Sequence, residues 1–381
     1  MERTEGGGGA PRVVGGDPPR VAFDVTPLQN AHRRRGIGTY VRGLAENLNL
    51  QEEVALEFWG WKLPLPFEVR PPHRLLTIPR PPMPQHRGAW IFAQWWLRQL
   101  AGRSGVGAVH VSDPNALTPL PGRVLLTTVH DLIFLAEGFP RRRVVTKMGY
   151  ERYIDGLRRT EHLFAVSTHT AADVAAATGR PLADIVLAPP GIRRPPAGVV
   201  APRPARPYLL YVGGPDPTKN LDGLLQGMAL APEMAEELLI AGPWTRRRLA
   251  ALTARLSALG LSERVRHLGF VSDEELERLM AGATALVMPS RREGFGLPIG
   301  EAMARGVPVA HSDIPVLSGT SAGAAVTFDP ASPADIARAL VAVTSDPGLR
   351  ERLVAAGTVR AAEMTWDGTL ARTLAIYRGI A

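Results

Sequence analysis

Two carboxylates, Glu293 and Glu301, flank a glycine-rich turn, Gly294-Phe295-Gly296-Leu297, within the segment PSRREGFGLPIGEAMARGVP from Pro289 to Pro308. The preceding Ala285-Leu286-Val287-Met288 reads as a short buried strand. Pro298 suits a first helical position, where a missing N–H costs nothing, so a helix is expected to start near it. A strand passing through a glycine turn into a helix N-terminus aims backbone N–H groups and the positive end of a helix dipole at one point. An anion, most simply a phosphate, belongs there. Ionised carboxylates cannot bind that anion, but they accept hydrogen bonds from neutral hydroxyls. A phosphate cradle between two hydroxyl acceptors describes a nucleotide-sugar site. Each carboxylate also has a plainer explanation. Glu301 is expected in the first turn of the helix, where the dipole favours it by about 0.3–1 kcal/mol. Glu293 adjoins Arg291 and Arg292, either of which offers a salt bridge.

Three further groups carry chemistry. Gly213-Gly214 follows an expected strand, with Lys219-Asn220 shortly after. Glycines let amides approach a phosphate closely, and a lysine supplies a compact positive charge. The loop lacks the G-K-[ST] of a P-loop, and Gly294/Gly296/Gly300 is one residue too long for G-x-G-x-x-G. His130-Asp131 ends the expected strand Leu125 to Val129, which aims it at a cleft if the sheet is open and parallel. Gly36-Ile37-Gly38 occupies the matching place after the first strand, where a simple tight turn is the alternative.

The elements that must position these residues alternate. Val21 to Val25, Ala108 to Val111, Val124 to Val129 and Leu163 to Val166 are strand candidates separated by helical stretches. Val41, Leu44, Ala45 and Leu48 mark the first helix. Between Ala188 and Arg206 stand Pro189, Pro190, Pro195, Pro196, Pro202 and Pro204, a density that forms neither helix nor central strand and reads as a semi-rigid linker. The pattern then restarts with strands Tyr208 to Val212, Glu237 to Ala241, Val265 to Gly269, Ala285 to Met288 and Val307 to His311. Helices Leu221 to Leu230, Arg246 to Leu259 and Asp273 to Met280 lie between them. This predicts an α/β fold of two Rossmann-like, doubly wound domains with a cleft between them. The expected divisions are a disordered tail at 1–19, an acceptor-side domain at 20–195, a nucleotide-sugar domain at 196–365, and a last helix at 366–381 returning to the first domain.

Bulk properties exclude little. At 381 residues, two domains are the usual expectation. A formal charge of +8 admits nucleic acid, an anionic membrane or phosphorylated substrates, although scattered arginines fit a solvated surface better. With no cysteine there are no disulfides or thiolate zinc sites, compatible with a reducing cytosol. No apolar run approaches the ~18 residues of a spanning helix, and the first 19 residues lack the apolar centre of a secretory signal. Trp59, Trp61, Trp90, Trp95 and Trp96 cluster in the first half. Trp90 to Leu100, flanked by Arg87 and Arg98, reads as a helix packing its aromatic face into its own domain, with a membrane-lying helix as the other reading.

Taken in order, these motifs resemble the retaining glycosyltransferases of family 4, with the two-domain GT-B architecture. The likeness runs from Val21 to the end. It rests on Arg35-Gly36-Ile37-Gly38-x-Tyr40, Val129-His130-Asp131-Leu132, Ala165-Val166-Ser167, Pro190-Gly191, and Val212-Gly213-Gly214 with Lys219-Asn220. Leu268-Gly269-Phe270-Val271, the E-x7-E pair Glu293/Glu301 and a closing Trp366 and Tyr377 complete it. The resemblance implies that Glu301 holds the ribose hydroxyls and Glu293 those of the transferred sugar. It implies that amides of Phe295, Gly296 and Leu297 cap the sugar and diphosphate, and that Lys219 neutralises the leaving diphosphate. Val271 would meet the base through its backbone, His130 would lie over the sugar, and Gly36 to Gly38 near acceptor and phosphate, beside Asp131. Gly214 stands where many relatives carry a second cation, an arginine, and Gly319 and Ala322-Gly323 depart from the usual acidic loop.

No D-x-D occurs, so the expected reaction is metal-independent, needs no cofactor, and proceeds with retention. The mannosyltransferase-like branch is suggested by the Arg-Gly-Ile-Gly-x-Tyr and His-Asp-Leu motifs, making GDP-mannose the first donor and a UDP-sugar the second. The acceptor is a glycan, a lipid-linked sugar or a small molecule. Nucleic acid is not expected as a partner, and the expected location is the cytoplasm or the inner membrane face. An epimerase of the same fold and a non-catalytic basic binding protein are the alternatives.

Overall fold

The computed structural model describes residues 21–34, 36–80, 89–135, 144–195 and 206–380. The expected tail, the stretch 196–205 of the linker, Arg35 and Arg87 lie outside them.

Two parallel sheets form the scaffold. The first has seven strands in the order β3-β2-β1-β4-β5-β6-β7. These are β1 (Val21–Asp24), β2 (Leu56–Trp61), β3 (Arg74–Ile78), β4 (Ala108–Val111), β5 (Val124–Val129), β6 (His162–Ala165) and β7 (Ile185–Leu187). The second has six, ordered β10-β9-β8-β11-β12-β13. They are β8 (Tyr208–Val212), β9 (Glu237–Ala241), β10 (Val265–Gly269), β11 (Ala285–Met288), β12 (Val309–Ser312) and β13 (Val326–Phe328). Strand order reverses between β1 and β4 in one sheet and between β8 and β11 in the other. Open α/β sheets bind ligands at such points, beyond the strands' carboxyl ends.

Parallel strands covered on both faces must be apolar throughout. β1, β4 and β11 are buried at every position. β2 is buried throughout as well, although it carries Glu57. Its carboxylate is satisfied by the Trp59 indole N–H at 2.7 Å and by Arg74 of β3. Trp59 and Trp61 join Trp96, Leu97 and Leu100 of the helix Ala89–Arg103 in the first sheet's core. Trp96 of that helix therefore packs inward, while Trp95 stays 53% exposed. No helix among the described residues is long and apolar enough to cross a membrane.

The last helix, Asp367–Gly379, returns to the first sheet as the sequence suggests. Tyr377 is fully buried, and its hydroxyl meets His110 Nδ1 of β4 at 2.7 Å. Beside it the chain crosses back: Ile192 N–H donates to the Met364 carbonyl at 3.1 Å, and Thr369 Oγ1 to the Pro189 carbonyl at 2.6 Å. Trp366 fits only because Gly43 and Gly191 lack side chains; a Cβ on either would lie within 2.5 Å of its ring.

Two expectations are corrected. The helix predicted after the Gly36-Ile37-Gly38 turn begins at Gly36 and runs to Leu48, so these residues form its first turn. Gly38 is required there because a Cβ would lie 2.3 Å from the His32 carbonyl oxygen. The helix after the glycine turn starts at Leu297 and ends at Met303, which puts Glu301 in its second turn, not its first. The dipole explanation of Glu301 weakens accordingly.

Candidate active site

A cleft of about 2180 Å³ runs between the two sheets and is lined by the motif residues of both halves. It takes in Gly36, Ile37, Gly38, His130 and Asp131 from the first, and Gly213, Gly214, Lys219, Val271, Glu293, Gly294, Phe295, Gly296, Leu297 and Glu301 from the second. Every residue singled out in the sequence as a site candidate is on its wall.

The loop after β8 delivers Lys219. Asp216 caps the short turn Pro217–Lys219 by accepting from the Thr218 N–H, and Asn220 closes it in the left-handed region at φ 51°. Asn220 Nδ2 donates to the Pro330 carbonyl at 2.8 Å, while its Oδ1 accepts from Arg291 Nε at 3.0 Å. Arg291 N–H also donates to the Thr218 carbonyl. The lysine loop and the glutamate turn after β11 are thus stapled together. Lys219 Nζ reaches Glu293 Oε1 at 2.6 Å, and the buried Ser290 hydroxyl donates to the same oxygen at 2.6 Å. Glu293 therefore pairs with Lys219 and not with the neighbouring Arg291 or Arg292. Its side chain is only 9% exposed. One oxygen is committed, and among the described residues nothing donates to Oε2.

The turn beyond Glu293 is held by contacts on both sides. A Cβ on Gly294 would lie 1.9 Å from the His130 carbonyl oxygen, and the Gly294 carbonyl accepts from Thr170 Oγ1 at 3.3 Å. The Phe295 carbonyl accepts from Thr320 Oγ1 at 2.5 Å. Gly296 sits at φ 95°, a conformation that glycine adopts without strain. Among the described residues no acceptor takes the N–H groups of Phe295, Gly296 or Leu297. These free donors, with Lys219 beside them, make an anion cradle.

Glu301 also faces the cleft, and no hydrogen bond or ion pair among the described residues engages its carboxylate. Burial raises it to about pKa 7, against the pull of Arg305 and Arg193. On the first-half wall, burial lowers His130 to about 3, so the ring is neutral at physiological pH. Its ring meets that of Tyr40 edge to face at 4.9 Å between centroids, and among the described residues Nε2 has no partner. Asp131 Oδ1 accepts from the Ile133 N–H at 3.2 Å, and burial raises its pKa. Gly36 is adjacent to Leu297 across the cleft.

The tightness at Gly213 has a structural cause: a Cβ would press on the Tyr211 hydroxyl at 2.8 Å, and Gly242 of the next loop sits against the Gly213 carbonyl. Gly214 has open space around it. Val271 lines the wall one residue beyond the exposed Phe270, next to Gly269 at φ 75°. Sequence reading missed Ser290, Glu277 and Arg305, and gave Asn220 and Trp366 only as motif residues without a structural role. Ser290 alone had a local signal, three residues before Glu293.

Comparison with known proteins agrees with this geometry. A family profile described as Glycosyltransferase Family 4 matches residues 34–194, and one described as Glycosyl transferases group 1 matches residues 199–360. The chain belongs to the family 4 glycosyltransferases. It is 36% identical over 176 residues to O-antigen chain mannosyltransferase B of Escherichia coli, covering 45% of each chain. It is 28% identical over 333 residues to D-inositol 3-phosphate glycosyltransferase of Paenarthrobacter aurescens, covering 80% of this chain and 77% of that one. The first of these matches, like several others, spans less than half of the curated relative's length. Among solved structures, sucrose-phosphate synthase of Thermosynechococcus elongatus superposes with a TM-score of 0.76 at 21% identity, over 95% of this chain and 99% of that one. The lipopolysaccharide glycosyltransferase WaaG does so with 0.72 at 18% identity, over 94% and 100%. These two establish the GT-B fold of this glycosyltransferase.

Proposed function

We propose that this family 4 glycosyltransferase moves a hexose from a nucleotide-sugar to a glycan, lipid-linked or small-molecule acceptor, with retention and without a metal. Mannose from GDP-mannose is the first donor and a UDP-sugar the second. The observation that carries the reading is the Lys219–Glu293 pair at 2.6 Å beside three unpartnered amides. A cation and a hydroxyl acceptor held together are what the junction of a sugar and its diphosphate requires. Similarity to O-antigen chain mannosyltransferase B and to MMP alpha-(1->4)-mannosyltransferase of Mycolicibacterium hassiacum, 31% identical over 233 residues, supports mannose. The fold likeness to HepE, solved with UDP and glucose, keeps the UDP-sugar in play.

In this mechanism Glu301 accepts the ribose hydroxyls, the Val271 backbone meets the base, and Glu293 Oε2 orients the hexose. Lys219 and the amides of Phe295, Gly296 and Leu297 hold the diphosphate and gain strength as negative charge develops on it. Gly213 and Gly214 leave room for it. The acceptor hydroxyl arrives between Gly36 to Gly38 and Asp131, on the face the diphosphate leaves. The bond from C1 to the phosphate oxygen breaks, the bond from C1 to the acceptor oxygen forms, and the acceptor proton passes to that phosphate. Neutral His130 offers Nε2 to a sugar hydroxyl. The reading places the enzyme in the cytoplasm, with the exposed Trp95 as its contact with an inner membrane face.

Incubation with GDP-mannose and UDP-sugars in EDTA, with the product anomer read by NMR, tests the reading. Transfer with the donor's anomeric configuration is expected. An inverted product, or loss of transfer in EDTA restored by Mg²⁺, would refute the mechanism. Conversion of donor without any acceptor would favour an epimerase.

A further inference from the structure

Glu301 lies in the last turn of the helix Leu297–Met303 and Arg305 two residues past its end, four residues apart, the spacing at which a glutamate followed by a cation pairs on a helix. Their side chains do not pair here. Arg305 instead turns its fork to Glu277 of the helix Asp273–Ala281, Nε donating to Oε1 and Nη2 to Oε2, each at 2.5 Å. The two side chains are only 5% and 9% exposed. Arg305 Nη1 donates to the Glu301 backbone carbonyl and, at 3.4 Å, to that of Arg193. The Glu301 carboxylate is left alone at the cleft wall, which Glu277 and Arg305 also line.

A bidentate arginine–carboxylate pair is the strong form of the interaction, and once buried neither partner leaves without stranding the other. We propose that Glu277 is a positioning residue for donor binding: by occupying Arg305, it keeps the Glu301 carboxylate free to accept the ribose diol. This rests on the reading of Glu301 as the ribose acceptor. Without the Glu277 charge, Arg305 turns to Glu301, and the diol must then displace a cation to be bound.

The test measures calorimetric binding of ADP, CDP, GDP and UDP, each against its 2′,3′-dideoxy form. The wild-type enzyme is expected to prefer the ribose form of whichever nucleotide binds by about tenfold or more. In Glu277→Gln that preference collapses toward unity, and the donor KM rises while kcat changes little. In Glu277→Gln/Arg305→Met, with the competing cation gone, the preference returns. A purely structural role for the pair predicts no such return. Full ribose preference in folded Glu277→Gln, or none in a double variant that melts like wild type, overturns the proposal. Glu277→Asp keeps the charge but cannot reach both fork nitrogens, and serves if the glutamine variant does not fold. Partial loss of preference is expected of it, and no loss overturns the proposal. Glu301→Ala separates the two claims: undiminished ribose preference there, or failure of all four nucleotides to bind wild type, refutes the ribose-acceptor reading itself.

Discussion

Gly294 and His130 meet backbone to backbone across the cleft, so closely that a Cβ on Gly294 would sit 1.9 Å from the His130 carbonyl oxygen. One belongs to the second half of the chain and the other to the first. Their contact sets the width of the cleft where the sugar would lie. Gly294→Ala must therefore separate the two walls there. A misplacement of about 1 Å costs about 100-fold in rate. The variant should lose about that much kcat/KM, while circular dichroism and melting temperature stay near wild type.

Lys219 is held by Glu293 beside the turn that carries the three unpartnered amides. In the proposed mechanism, removing Lys219 takes a positive partner from the developing diphosphate charge. Lys219→Ala should lower kcat by about 10²–10³, the range seen when one preorganised donor is lost. Steady-state transfer assays check this, and unchanged turnover would end the assignment.

Ser290 fixes Glu293 through a 2.6 Å hydrogen bond to the oxygen that Lys219 also holds. Hydrogen bonds to charged groups contribute about 1.5–3 kcal/mol. Ser290→Ala should thus cost about 10- to 100-fold in kcat/KM for the donor. Ser290→Thr, which keeps the hydroxyl, should retain more activity than alanine.

Burial raises Glu301 to about 7, and its ionised form is the stronger acceptor of hydroxyls. Nucleotide affinity should rise as pH climbs through 7 and level off above about 8, with protons released on binding. Calorimetry in buffers of different ionisation enthalpy measures both. For stability the sign is opposite. Glu301, with an ordinary value of 4.5, and Asp24, raised by burial from 3.8 to about 7, hold protons in the native state that the unfolded chain has released. Stability from these groups is full below about pH 4 and falls as pH rises toward about 7. Asp24→Asn should flatten that fall in thermal melts between pH 5 and 8.

Tyr377 anchors the last helix by its 2.7 Å contact with His110. Tyr377→Phe leaves His110 Nδ1 buried without a partner, which costs about 1–3 kcal/mol. A lower melting temperature with near-normal kcat is the expected outcome.

The sequence made the central strands legible because burial on both faces leaves an apolar run with punctuated ends. β4, β5, β8, β9, β10 and β11 have the expected bounds. β2 and β3 were not read as strands, since Glu57 and Gly60 interrupt one and the other is an exposed edge. Glu57 is tolerated only because Trp59 and Arg74 supply donors, a fact of tertiary structure. In the site, the glycine turn and its glutamates could be found from spacing. The Lys219–Glu293 pair, 74 residues apart, and the Glu277–Arg305 pair, 28 apart, could not, because local pattern carries no information about such partners.

The chain runs past the junction of the halves twice, with residues near Pro189–Ile192 lying against Met364–Thr369 and Trp366 wedged between glycines. A lone connecting strand would act as a swivel. Two bound side by side act as the spine of a book, allowing the covers to part along one line while resisting torsion. Any parting of the covers along that line would keep the two facing walls in register.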